Sequence, residues 1–145
     1  MMRHIKRWAP AFIMMATLFG FSSIPSKDLP SFGGLDFSIK KFGHALGYAL
    51  LALSYLRGLR SFGQKLHAVN EGENPSDSKT ITSFVGNHPS IFAWMLALLF
   101  SGTDEFHQSF VPGRNPSLWD VFLFDNLGAV AGLWIYHLFG NRTKR

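Results

Sequence analysis

SGTDEFHQSFVPGRNPSLWDVFLFD, residues 101–125, decides how the rest of the chain is read. It leaves one apolar run, WMLALLF (94–100), and enters the next, LWDVFLF (118–124). Between and inside these runs lie Asp104, Glu105, His107, Gln108, Arg114, Asp120 and Asp125. A charged side chain within a membrane helix costs about 3 kcal/mol on insertion scales. Carboxylates gathered at such a boundary therefore require partners, water or a chemical role.

Outward from this stretch, the run before it starts at His88-Pro89, a helix-start pair, and carries the third of four expected spans, about 89–110. Asp104 and Gln108 are four apart and Glu105 and Gln108 three apart, so either acid can reach the amide. Val111 to Pro116 reads as a stiff turn with Arg114 at its tip. The fourth span, about 117–139, opens with Ser117 as N-cap and Asp120 three residues on, and carries Gly128 and Gly132 as a small-residue pair for helix packing. The second span, about 42–59, opens on Lys41, His44 and Tyr48, spaced i, i+3 and i+7 on one helical face. Gly43 and Gly47 mark a neighbouring stripe where another helix can approach. The first span, about 8–24, follows Arg3, Lys6 and Arg7 and has Trp8 as an interface anchor. It reads as a retained helix, with a signal peptide as the alternative. Residues 61–83 are polar, hold Pro75 and read as a loop.

Composition agrees. Hydrophobic residues are 47% of the 145 and charged residues only 16%, well below the ~25% usual in soluble domains. No cysteine is present, which excludes disulfides, thiolate nucleophiles and Cys-ligated zinc. The net charge of +5 is read as a topology signal, with no nucleic-acid partner expected. With four spans, both termini and the 61–83 segment share one side. That side carries ten of the 14 basic residues, leaving Lys27, Lys40, Lys41 and Arg114 opposite. The positive-inside rule then makes both termini cytoplasmic. The expectation is an all-α, membrane-embedded bundle of about four transmembrane helices, multi-pass in the cell (inner or plasma) membrane and forming one domain over 1–145. Both polar clusters reach its outer face.

At these residues the chain resembles the VanZ-like family of small bacterial membrane proteins. The likeness rests on Lys41-Phe-Gly-His44-Ala-Leu-Gly-Tyr48, on Asp104-Glu105-Phe-His-Gln108-Ser-Phe110-Val-Pro112-Gly113-Arg114, and on Asp120, Asp125-Asn126-Leu-Gly128 and Gly132. It covers roughly Phe37 to Trp134. Two features depart from the family pattern. Lys40 stands where an acid belongs before Lys41, and Asp125-Asn126 replace a single Asn, one residue further from Asp120. The resemblance implies an integral membrane protein of the cell envelope whose name-giving relative is linked to resistance to teicoplanin, a lipoglycopeptide.

Three readings of the polar cluster follow. In the first, Lys41, His44, Tyr48, Asp104, Glu105, Gln108, Arg114 and Asp120 bind a lipid-linked or lipoglycopeptide-type amphiphile at the outer leaflet. In the second, His44 with Asp104 or Glu105 acts as acid and base in a membrane-embedded hydrolase or transferase. In the third, the cluster only locks the bundle of a structural subunit. Arg114 either pairs with the acids or presents its fork to an anionic headgroup. His107, about 100° round the helix from Gln108, is expected at the lipid interface. No metal spacing, phosphate loop, nucleophile elbow or dinucleotide fingerprint is present, so neither metal nor cofactor is expected.

Overall fold

The computed structural model describes residues 2–31, 33–70 and 81–140, without the side chains of 2–5, 64–70 and 81–83. Among the described residues all regular structure is helical: α1 (Met2–Ser22), α2 (Asp36–Asn70), α3 (Ile81–Asn87), α4 (Pro89–Gln108) and α5 (Asn126–Gly140). A π-helical segment, Asp120–Asp125, leads directly into α5. Two short 3-10 turns, Ser26–Asp28 and Gly33–Leu35, join α1 to α2. The polar 61–83 segment differs from the expected loop, because α2 continues through Asn70 and α3 begins at Ile81. Residues 71–80, which held the turn-forming centre of that expectation, lie outside the described residues, as does the basic tail 141–145.

α2 is the central element, packed against α1, α3, α4, α5 and the π segment. Its buried face is Tyr48, Leu51, Ala52, Tyr55, Leu56 and Leu59, an unbroken i, i+3, i+4 stripe. Ala93 and Ala97 of α4, and Ala129 and Leu133 of α5, complete the core. His88 occupies the N-cap of α4 and Pro89 its first turn, as the His-Pro pair predicts.

Small residues set how close the helices come. A Cβ placed on Gly128 would lie 2.0 Å from the carbonyl oxygen of Ala45, and one on Gly132 would lie 3.0 Å from Ala49. The pair therefore packs α5 backbone against α2 backbone. On the α1 side only one member of the Gly43/Gly47 pair is used: Leu18 sits where a Gly47 side chain would be, while a Cβ on Gly43 would meet nothing within 4 Å. Trp8 covers Gly58 and meets Tyr55 edge-on, with ring centroids 6.4 Å apart, so it is a packing residue within the bundle.

The bundle is apolar outside, and a group of polar side chains is buried beside its apolar core. Large side chains such as Phe12, Phe42, Leu99, Phe106, Trp119 and Trp134 are exposed, whereas Ser22, Ser101, Asp104, Glu105, Gln108 and Asp125 are buried. Of the four expected spans, one, Asp120–Gly140, is by itself long and apolar enough to cross a membrane, judged among the described residues. α4 loses hydropathy to the polar residues of its last turns, and α2 to the basic residues near both ends of its apolar part.

Substitution of Gly128 by leucine should force α5 off α2, costing about 1–3 kcal/mol or more. The detergent-solubilised protein should then melt well below wild type, while Gly43→Ala should leave the melting temperature unchanged or slightly raised. Equal melting of Gly128→Leu and wild type would refute the close α2–α5 contact.

Candidate functional site

Ser101, Asp104, Glu105 and Gln108 follow one another at i, i+3, i+4 and i+7 on the inner face of α4, and all four are buried. One oxygen of Asp104 accepts from Ser22 Oγ at 2.6 Å, from Gln108 Nε2 at 3.1 Å and, more weakly, from the Tyr48 hydroxyl at 3.4 Å. Its other oxygen is buried without a hydrogen-bond partner. Among the described residues no cation pairs with Asp104, so neutral donors hold it. Ser22, the last residue of α1, is the participant sequence reasoning missed. The one hint is a serine pair at the end of an otherwise apolar run.

The acids of the last helical region face α2. In an α-helix, residues five apart are separated by about 500°, which leaves them 140° from each other. The π segment widens the turn to i→i+5 bonding and brings Asp120 and Asp125 toward one side. Asp120 pairs with Lys41. Asp125, 1% exposed, lies 3.3 Å from His44 Nδ1 and accepts from Ser101 Oγ at 2.5 Å. The His44–Asp125 contact is at ion-pair distance but not aligned as a hydrogen bond. His44 was expected to face Asp104 or Glu105; its partner is Asp125, because the π segment, not α4, presents a carboxylate at its depth. Asn126 accepts from Trp94 Nε1 at 2.7 Å and ties α5 to α4.

Glu105 accepts from the backbone N–H of Ser117 at 2.8 Å and so holds the chain where the last helical region begins. Among the described residues Arg114 forms no ion pair with the acids. Its Nε donates to the Ile24 carbonyl at 3.1 Å and Nη2 to the Phe21 carbonyl at 2.6 Å, just where α1 ends; the Phe21 oxygen also accepts from the Ile24 N–H at 3.3 Å. The turn that aims it depends on Gly113 at φ 74°, whose carbonyl accepts from Ser26 Oγ. Burial lowers the Arg114 pKa, opposed by Asp104 and Glu105, yet from so high a starting value the guanidinium stays charged. His107, half-buried, stacks on Phe19 at 4.1 Å and lies 3.0 Å from Ser23 Oγ, a further contact to α1.

These groups enclose a polar cavity of about 440 Å³. Lys41, His44, Glu105, Gln108, Arg114 and Asp120 line it, joined by Ser26, Lys40 and Ser117, none of which was among the expected site residues. Tyr48 and Asp104 are buried and absent from the lining. A second, mainly apolar cleft of about 340 Å³ opens between α1 and α2, walled by Leu18, Phe21, Leu29, Ile39 and Gly43. Lys40, His44 and Arg114 belong to both. Among the described residues no three of His, Cys, Asp and Glu converge as a metal-binding group.

The class so defined is an all-helical bundle with an apolar exterior and a polar cluster at one end. A family model described as VanZ/LLP1 matches residues 7–140, and the chain belongs to this VanZ-like family. No curated protein and no solved structure matches it.

Arg114→Gln removes a charged donor from two carbonyls and should destabilise the fold by about 2 kcal/mol. Arg114→Lys, which keeps the charge but loses the planar fork, should fall between that variant and wild type in a thermal melt. If Arg114→Gln melts like wild type, the carbonyl contacts contribute nothing.

Proposed function

We propose that the protein is a multi-pass protein of the cell membrane, with α1, α2, α4 and the Asp120–Gly140 helix as its four spans. Both termini lie in the cytoplasm and the polar cavity faces outward. The apolar exterior supports this, since a soluble chain seldom leaves so many large apolar side chains in contact with water. Length supports it too: α1 has 21 residues and α4 has 20, each about 30 Å and comparable to the bilayer core. α1 packs on α2, and Ser22 and the carbonyls of Phe21 and Ile24 contribute to the cluster, which favours a retained helix over a cleaved signal.

The function proposed for this site is binding of an amphiphile, either a lipid-linked envelope molecule or a lipoglycopeptide. A part in glycopeptide (teicoplanin) resistance falls under the same reading. One observation carries it: the polar cavity and the apolar cleft share Lys40, His44 and Arg114. A headgroup in the first thus has a route for its alkyl chain into the second. Cations at the junction suit an anionic group next to the chain.

A second reading, hydrolysis or group transfer on such a molecule, draws support from Asp125 behind His44. That carboxylate lies 3.3 Å from Nδ1, and aligning the contact into a hydrogen bond would orient the ring and leave Nε2 as a general base. It replaces the Asp104 or Glu105 pairing expected from the sequence. Loss of turnover in His44→Ala, with the protein still folded, would establish it; unchanged turnover would dismiss it.

Gly43 provides the test of the amphiphile reading, because it lines the cleft and a Cβ there meets no atom within 4 Å, which leaves room for a side chain to grow. Wild type should bind teicoplanin at least about tenfold more tightly than its deacylated core, given the value of buried alkyl surface. Gly43→Phe should erase that difference while melting normally. Equal binding of both forms by wild type would overturn the reading.

Topology is tested separately by cysteines introduced singly at Ser31, Ser76 and Asn115. An impermeant reagent outside the cell should label 31 and 115 but not 76. The reverse pattern would invert the bundle.

A further inference from the structure

A second cavity with a marked charge lies at the other end of the bundle. Arg57 is thirteen residues beyond His44 on α2, about 20 Å along the helix. There Arg57 and Arg60, three apart on one face, meet Arg7 from α1 around a cavity of about 530 Å³. Tyr136 of α5 closes one side of it. Among the described residues no carboxylate lines this cavity and none forms an ion pair with these arginines.

We infer that Arg7, Arg57 and Arg60 form a binding site for a phosphate-ester anion. Three guanidinium groups around one cavity repel one another, and an anion between them converts that repulsion into attraction. Guanidinium suits this anion in particular, because its planar donors match two phosphate oxygens at once. Arg60 is already positioned for the task. Its Nη1 donates to the Tyr136 hydroxyl at 2.5 Å, and its guanidinium carbon lies 4.6 Å from the centre of that ring. Two such contacts limit how Arg60 can turn and leave its other N–H groups for a ligand. The Ser61 hydroxyl also lines the cavity and can add a neutral donor, while Leu53 and Leu56 supply an apolar wall. An ester whose phosphate is joined to an apolar body fits this mixture. Its source is either the headgroup of an anionic lipid or a soluble phosphate ester. The site is independent of the amphiphile cavity, with which it shares no residue.

The test uses the full chain purified in detergent. In one arm it receives equal amounts of phosphatidylglycerol and phosphatidylcholine, and lipid adducts are counted by native mass spectrometry. In the other, its melting temperature is compared in sodium phosphate and in sodium chloride of equal ionic strength. The combined variant Arg7→Gln/Arg57→Gln/Arg60→Gln runs beside wild type. So does the single variant Arg57→Glu, which reverses one exposed charge and leaves the buried core intact. A wild-type preference for phosphatidylglycerol of roughly tenfold or more, falling toward parity in both variants, identifies a lipid headgroup site. Stabilisation by phosphate, seen in wild type and absent from both variants, identifies a site for soluble phosphate esters. Absence of both effects in wild type overturns the inference, as does persistence of the observed effect in both variants.

Discussion

Two carboxylates, Asp104 and Asp125, are each 1% exposed inside a bundle whose exterior is apolar. A buried charge without partners is costly, so these two acids constrain everything placed around them. Asp104 gathers neutral donors from three helices: Ser22 of α1, Tyr48 of α2 and Gln108 of α4. Asp125 gathers Ser101 of α4 and His44 of α2. The acids thereby fix the relative heights of the helices, which the apolar contacts between Leu, Ala and Phe would leave adjustable. Removal of any one donor leaves a carboxylate partly unsatisfied, so the network acts as a unit.

Close backbone approach makes the network reachable. The Gly128 and Gly132 faces let α5 lie against Ala45 and Ala49 of α2, which brings the π segment beside Lys41 and His44. With bulkier residues there, Asp120 and Asp125 would stand too far from α2 to pair. Arg114 performs a similar service at the rim, where it binds the end of α1 to the turn after α4. The polar cavity is thus built from parts that also hold the bundle together. Its groups are held by that packing, so substitutions there change folding as well as any binding. That mixture is why a cleft-filling change at Gly43, which touches no structural contact, separates the two better than removal of a charge.

The two ends of the bundle differ in kind. At one, acids and cations nearly balance, and the cavity adjoins an apolar cleft between α1 and α2. At the other, three arginines line one cavity without a described acid. In the proposed orientation the first end meets the outer leaflet and the second the inner one. This matches the bias of basic residues toward the cytoplasmic side. A phosphate-bearing ligand at the inner end would anchor the bundle vertically while the outer cavity works on its own ligand.

Much of the helical architecture was legible in the residue order. Helix periodicity, the His88-Pro89 start and the Val111–Pro116 turn are local properties, set by backbone sterics and the hydrophobic pattern within a few residues. The grouping of Lys41, His44, Glu105, Gln108, Arg114 and Asp120 was also legible, because alternating spans bring the start of the second, the end of the third and the start of the fourth to the same end of the bundle. The helical character of 61–70 and 81–87 was not, since polar residues there give no apolar period to read. Partner choice required the tertiary structure. His44 takes Asp125 because a π segment re-aims that acid, and a π segment has no distinctive local pattern. Arg114 turned to carbonyls at the end of α1, and Ser22 to Asp104, because both depend on where a helix some eighty to ninety residues away happens to end. Sequence spacing determines which side chains share a face; only the packed bundle decides which donor lies within 3 Å of which acceptor, since that distance is set by helix contacts made elsewhere in the chain.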